Sequence, residues 1–397
     1  MVYSKLNPTP NNMNAKSISG GTVDQIRISL NEAISDGFRP TVAFAFISIK
    51  QDRQEICRLL RAEEIEVVGA TSSGEFIDGH QTEGGAAILL LELDRDYYKV
   101  LFTDIQDVTP AEAAARMAGD ALKEFSRPAF LLCSTLLAED GAMLDGETLI
   151  RSIEAVVGPQ VTLFGGMAGD DFSFTGTYVF TQEQSTDHGM VALVLDEDKI
   201  ALHGMALSGW KAVGISRIAT KTDNNLLFEI DHKPALEMYL RFLGMDAGSV
   251  DDQFEFFDSV GVHYPFQVER PGRTPMMCNP IGYDREQEAL ICESNIIEGS
   301  SFRFSMPPEF DIIETITGKA KELKEERKAD ADALLIFSCA GRLSALGPMA
   351  EQENEGLQDL WKVPMAGFYT YGEFGPDGNG RHEVFSTTCA WVAFKEK

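Results

Sequence analysis

Two distant stretches of this chain share one frame: Gly, four residues, Gly-Glu-Phe. The first is Gly69-Ala70-Thr71-Ser72-Ser73-Gly74-Glu75-Phe76 and the second is Gly367-Phe368-Tyr369-Thr370-Tyr371-Gly372-Glu373-Phe374. A looser copy lies between them, Gly165-Gly166-Met167-Ala168-Gly169-Asp170-Asp171-Phe172, in which Asp170 stands for the Glu and one residue is inserted before Phe172. Glycine is the default residue of tight turns, so one such copy would say little. Three copies in similar surroundings point to one supersecondary device used three times.

The surroundings repeat as well. Val42 to Ile49, Ala129 to Cys133 and Ala333 to Ser338 are apolar runs of strand length, each followed by a helical stretch and then by a glycine turn. After each turn comes a further apolar run: Ala86 to Leu93, Met190 to Asp196 and Ser386 to Phe394. Helices and strands alternate, and hairpins follow the turns. The expected fold class is therefore α+β or mixed α/β, built from repeated strand–helix–strand–turn–strand units.

The length of 397 residues suits two or three domains. Residues 1–22 are polar and rich in Asn, Ser and Pro, and are expected to form a disordered tail with no secretory signal. Thr109-Pro110-Ala111-Glu112 carries a capping-box signature, which predicts a helix to about Phe125. A second strong helix is predicted after Asp231-His232-Lys233-Pro234, with Leu236, Tyr239, Leu240 and Leu243 on one face and Gly244 as its stop. The pattern loosens between Ser208 and Asp231, so the expected division is residues 23–222 and 223–397.

A formal net charge of -28 argues against nucleic acid or an anionic membrane as a partner. No apolar run is long enough to span a bilayer. The six cysteines form no Cys-x-x-Cys pair, and several sit in apolar strands, as expected of a reduced cytoplasmic protein.

The Val67–Phe76 segment, the Gly165–Asp171 turn, the Asp231–Gly244 helix and the terminal Ser338-Cys339-Ala340-Gly341-Arg342 with Gly367–Glu373 together resemble the FIST family. That resemblance covers nearly the whole chain from about residue 25. It implies FIST N-terminal and C-terminal domains and an intracellular bacterial-type sensor of small ligands such as amino acids. Such sensors signal to partners such as a histidine kinase or a cyclic-di-GMP enzyme. One branch of the family resembles haem-binding sensors of nitric oxide. No kinase, cyclic-di-GMP or receptor module is recognisable in this chain, so its output would pass through a separate partner.

The residues themselves suggest how a zwitterion could be held. Glycine-rich turns present backbone amides to anions. Thr71, Ser72, Ser73, Tyr369, Thr370 and Tyr371 offer hydroxyls, Glu75, Asp170 and Glu373 could pair with an ammonium group, and Arg342 offers a planar fork to a carboxylate. These ten residues are the candidate ligand-binding set. An ion pair between Arg342 and Glu373 is the competing structural role. No cofactor is required. Haem would need an axial ligand, for which His188 or His382 is the candidate. A catalytic set could be drawn from Cys339, His382 and Glu373, but no spacing demands it, and the expectation is a binding protein and not an enzyme.

Overall fold

A computed structural model describes residues 13–246, 254–309, 311–377 and 379–397. It shows three units of one design and an inserted fourth sheet. The first unit comprises β1 (Asn14–Gly20), α1 (Val23–Ile34), β2 (Val42–Ser48), α2 (Arg53–Ala62), β3 (Glu66–Ser72), β4 (Glu75–Ile77), β5 (His80–Thr82) and β6 (Ala86–Glu92). The second comprises β7 (Tyr98–Asp104), α3 (Pro110–Glu124), β8 (Pro128–Ser134), α4 (Gly146–Val157), β9 (Thr162–Met167), β10 (Val179–Phe180), β11 (Ser185–Thr186) and β12 (Gly189–Asp196).

The third unit opens with β13 (Ile200–Leu207) and is then interrupted. The insertion holds β14 (Lys211–Asp223), β15 (Leu226–Ile230), β16 (Lys233–Pro234), α5 (Ala235–Leu243), β17 (Phe266–Arg270), β18 (Arg273–Cys278), β19 (Pro280–Asp284), β20 (Ala289–Cys292) and β21 (Ser301–Met306). The unit resumes with α6 (Ile312–Glu326), β22 (Ala333–Cys339), α7 (Ala340–Leu346), α8 (Met349–Trp361), β23 (Met365–Thr370), β24 (Glu373–Pro376), β25 (His382–Phe385) and β26 (Cys389–Glu396).

The three units exchange hairpins in a ring. The sheet orders are β1-β6-β2-β3-β10-β11, β7-β12-β8-β9-β24-β25 and β13-β26-β22-β23-β4-β5. Each unit thus supplies four strands to its own sheet and sends its post-turn hairpin to a neighbour. The first gives to the third, the second to the first, and the third to the second. In every unit the strand pair flanking the helix before the turn is parallel, and the neighbouring strand that closes the unit is antiparallel.

The three sheets face a common core. Phe44, Phe46, Val68, Leu131, Leu193, Leu335, Phe368 and Val392 belong to one buried cluster. Phe46 stacks on Phe368 at 4.4 Å between ring centroids, which joins the first unit to the third. Helices cover the outer faces through separate clusters, with α1 and α2 over the first sheet, α3 and α4 over the second, and α6 and α8 over the third. The central strands are therefore buried on both sides. This explains why Val42–Ser48 is a continuous apolar run and not an alternating one.

The inserted sheet, with α5, has its own core around Tyr239, Phe266, Phe302 and Phe304. Arg270 and Arg273 fasten it to the buried Glu383 of the third unit at 2.9 and 2.6 Å, and Arg273 also reaches Glu147 at the start of α4 at 3.1 Å.

The fold is α+β in two domains, as the alternation of elements suggests. Both signalled helices form: Thr109 and Glu112 make the reciprocal capping box, and Gly244 ends α5 in the left-handed region. Residues 1–12 lie outside the described residues. Asn14–Gly20, expected to belong to the tail, instead forms an edge strand paired antiparallel with β6. An edge strand needs only one apolar face, and Ile18 supplies it from a polar stretch.

Candidate functional site

The first glycines of the first and third turn motifs are explained by the hairpin exchange, whereas a Cβ on Gly165 of the second would lie 1.8 Å from the Leu132 carbonyl oxygen of its own unit. Gly367 lies opposite Phe76, Gly69 opposite Phe180, and Gly165 opposite Phe374 in the cross-unit strand pairs. Each glycine of one unit thus sits opposite an aromatic ring from another. A Cβ added to Gly69 would lie 2.1 Å from the Phe180 ring, and one added to Gly367 would lie 2.0 Å from the Phe76 ring. The same register revises the second motif. Gly165 matches Gly69 and Gly367, so Asp171, and not Asp170, falls at the position of Glu75 and Glu373 without any inserted residue. The extra length lies beyond Asp171, and Phe180 takes the pairing role that Phe76 and Phe374 have in the other copies.

The three turns meet. Ser73 N donates to Tyr369 O at 3.0 Å and Tyr369 N to Gly74 O at 2.9 Å. Met167 N donates to Gly372 O at 2.7 Å and Tyr371 N to Met167 O at 3.1 Å. Gly169 N donates to Thr71 O at 2.9 Å and Asp171 N to Ser72 O at 3.0 Å. These bonds close a ring through all three units.

Ten residues were expected to bind a ligand. Thr71, Ser72, Ser73, Glu75, Asp170, Arg342, Tyr369, Thr370 and Glu373 are buried, and Tyr371 is half-buried. Most belong to the junction and satisfy one another. Thr71 Oγ1 accepts from Tyr178 N at 2.9 Å. Tyr371 Oη donates to Asp170 Oδ1 at 2.6 Å, and Asp170 Oδ2 accepts from Ser173 Oγ, Thr175 N and Gly176 N. Tyr369 Oη reaches Gln81 at 3.0 Å.

The first and third turns are chemically alike. Ser72 donates to Glu75, which also accepts from Gly85 N at 3.1 Å. Thr370 donates to Glu373 at 2.5 Å, and Glu373 accepts from Thr388 N at 3.2 Å. Each acid therefore bridges the hydroxyl three residues before it and an amide just before the unit's closing strand. Burial pushes the Glu75 carboxyl up to about 7, against the lowering effect of Ser72 and Gly85. Burial likewise holds Glu373 well above the usual range, opposed by Thr370 and Thr388.

The folded protein therefore keeps the Glu75 proton to higher pH than the unfolded chain, whose carboxyl has its ordinary value of 4.5. This contribution is complete below the unfolded value and is lost as pH rises through about 7. Glu75→Gln is expected to flatten this part of the profile, by roughly 2–3 kcal/mol between pH 5 and 8. Urea midpoints measured across that range for both proteins check it, and equal slopes would refute it.

Arg342 is separate from the junction. Its guanidinium pairs with Glu353 on α8, with Nε 3.2 Å from Oε2 and Nη2 on Oε1. Nη1 donates to the carbonyls of Ser208 and Thr387, and the Trp210 ring lies 5.5 Å from the guanidinium carbon. Its ion-pair partner is thus Glu353 and not Glu373. Glu353 was not singled out from sequence. The buried positions 350, 353, 354, 357 and 361 of α8 recur at helical spacing, and that spacing places this acid on the inner face.

Cys339 is buried, and burial followed by the charges of Glu373 and Glu293 pushes its thiol up. A nucleophilic cysteine needs the opposite shift. His382 is buried with Nδ1 2.8 Å from Glu154, and His188 is half-buried just before β12.

Two open grooves lie beside the junction, on either side of Thr82 and Glu83. The larger, about 660 Å³, is lined by Ser19, Gly20, Gly21, Gln25, Ile28, Ser29 and Gly85 as well. The smaller, about 490 Å³, is lined also by Gln81, Leu343, Gly347, Pro348 and Glu351. Neither is lined by a histidine, the most common axial ligand of haem. The floor of the larger groove, Gly85, is the residue whose amide holds Glu75, and Gln81 of the smaller one holds Tyr369.

Residues 41–233 match the FIST N domain and residues 235–376 the FIST C domain. The chain belongs to the FIST family, whose domains are sensory domains of signal transduction. Among curated proteins it is similar to an uncharacterized protein of Mycobacterium bovis, 22% identical over 250 residues, covering 59% of this chain and 61% of that one. It is also similar to an uncharacterized protein of Mycobacterium tuberculosis, 20% identical over 266 residues, covering 65% and 67% of the two chains. The alignment with the first of these spans about three fifths of the relative's length. No helix among the described residues is long and apolar enough to cross a membrane.

Proposed function

We propose that this chain is a non-enzymatic, cytoplasmic sensor that takes a small polar metabolite, such as an amino acid, into the larger groove. On this reading it reports occupancy to a separate signalling partner, such as a histidine kinase or a cyclic-di-GMP enzyme. The observation that carries the reading is the bond from the groove floor at Gly85 to the turn acid Glu75. A ligand seated over Gly85 acts on a carboxylate whose turn is bonded directly to the turns of both other units. The hydroxyls of Ser19, Ser29 and Thr82 and the carboxylate of Glu83 place a few polar groups in the groove that suit an ammonium-bearing ligand. The buried turn residues, from Thr71 to Glu75 and from Tyr369 to Glu373, then serve as the relay beneath the ligand.

The test is a thermal-shift screen of the full chain against amino acids and related metabolites, followed by calorimetry on any hit. Thr82→Trp, which fills the groove, is expected to weaken binding tenfold or more with little change in stability. A hit that binds the Thr82→Trp variant with unchanged affinity, or a panel with no hit at millimolar concentration, would sink the reading.

A further inference from the structure

A second feature lies on the seam between the first and third units, where the β4–β5 hairpin rests on α8. His80, Glu351 and Glu355 there hold their ligand atoms within 4.8 Å of one another. Glu351 and Glu355 stand four residues apart on one helix face, a spacing at which like charges repel. Among the described residues neither has a Lys or Arg ion-pair partner. The neighbouring α6 shows the usual alternative, with Lys319–Glu322 and Lys321–Glu325 pairs along its surface. Two carboxylates without a Lys or Arg partner thus converge with an imidazole on the seam between two units.

The hairpin is fixed in place before any ion arrives. Asp78 N donates to Met365 O at 3.1 Å, and Met365 N donates back to Asp78 Oδ1 at 2.9 Å. Ser17 Oγ adds a bond to Asp78 Oδ2 at 2.6 Å. Gly79 has φ +86°, and a Cβ there would lie 3.2 Å from the Glu355 Cα, so the backbone rests directly on the helix at the residue before His80. Gln81, the residue after it, donates its amide to Glu351 Oε1 at 3.4 Å. His80 is therefore held against the two glutamates by both of its chain neighbours.

We infer that His80, Glu351 and Glu355 bind a first-row divalent cation such as Zn²⁺, pinning the first unit's hairpin to the third unit. One imidazole nitrogen with two carboxylates suits such an ion better than Ca²⁺ or Mg²⁺, which prefer all-oxygen shells. Ligand atoms around Zn²⁺ at about 2.0–2.2 Å lie at most about 4 Å apart, so closure needs only small rotations of partly exposed glutamates. Three protein ligands leave at least one position for water. Glu351 also lines the smaller groove, so the ion stands at its rim. The inference does not depend on the identity of any metabolite.

The test uses the full chain stripped with EDTA and titrated with Zn²⁺ by calorimetry and with Co²⁺ by visible spectroscopy. One equivalent is expected to bind, with a d–d band for Co²⁺ and a higher melting temperature in Zn²⁺. His80→Ala and Glu355→Gln, both at exposed positions, are each expected to weaken uptake tenfold or more, whereas His232→Ala at a remote exposed site leaves it unchanged. Absence of saturable binding at micromolar metal overturns the inference. So does equal affinity in the two site variants, or an equal loss in His232→Ala.

Discussion

Gly69→Ala is expected to destabilise the protein by about 3 kcal/mol or more, at the upper end of what overpacking costs. The new methyl carbon would lie 2.1, 2.4 and 2.5 Å from three atoms of the Phe180 ring. That ring is buried in the core beneath α1 and α2 and has nowhere to retreat. Phe180→Ala alone is expected to cost about 3–5 kcal/mol through the cavity it leaves. The double variant is the informative one. If the glycine exists to admit the neighbouring unit's ring, Gly69→Ala with Phe180→Ala costs at least about 2 kcal/mol less than the sum of the single changes. Urea unfolding of the four proteins measures this, and additive costs would remove the explanation. The equivalent pair in the third unit should behave differently. A Cβ at Gly367 would meet the Ile336 carbonyl at 2.3 Å as well as the Phe76 ring, so Phe76→Ala cannot rescue it.

Arg342→Ala is the second change expected to be severe, at about 3–5 kcal/mol, because it leaves Glu353 charged and unpaired inside the protein. Arg342 and Glu353 are both essentially inaccessible, at 0% and 1% exposure. The guanidinium also holds Ser208, where the chain leaves the third unit for the inserted sheet, and Thr387, where it returns to β26. Loss of the fork should therefore loosen the insertion as well as lower the overall stability. Limited proteolysis near Ser208 is expected to accelerate in Arg342→Ala, beyond what a core variant of equal stability shows. Arg342→Lys keeps the charge without the planar fork and should recover only part of the loss. Full recovery by lysine would mean that charge alone matters.

The repeat was legible in the sequence because it lives in local patterns. Apolar runs, the Thr109 cap and the glycine turns each have a short-range signature, and together they give the α+β class and the units. What the glycine and phenylalanine of the motif do was not legible. Their partners are in other units, and nothing within Gly69–Phe76 indicates that Gly69 faces Phe180 while Phe76 faces Gly367. The same limit explains the second turn, where Phe172 matches the motif by sequence but Phe180, after a longer loop, does its work. Candidate polar residues were read as open to a ligand because hydroxyls and acids near glycines suit that role. In the folded chain Ser72 bonds Glu75 and Thr370 bonds Glu373 within their own turns, and Tyr371 bonds Asp170 across the junction. Arg342 was read as a fork for a ligand carboxylate, with a pair to Glu373 as the competing role; it is paired with the buried Glu353, which only the helical spacing of α8 could have suggested. Thr82, Glu83 and Gly85 line the groove from a polar hairpin with no distinctive pattern, and sequence gave no reason to single them out.

The ring of exchanged hairpins also sets an order of events during synthesis. The β4–β5 hairpin is made early, yet its place is beside β23, with Phe76 opposite Gly367 about 290 residues later. At a translation rate of about 5–20 residues per second, roughly 15–60 s separate the two. Until then the first unit has an aromatic hairpin without a sheet, while β3 waits for the hairpin of the second unit. The last strand, β26, completes the third sheet between β13 and β22. Shortening the chain from its end therefore does more than remove one strand: it leaves the earliest-made hairpin without a stable home, and truncated chains should be substrates for chaperones and proteases from their N-terminal third.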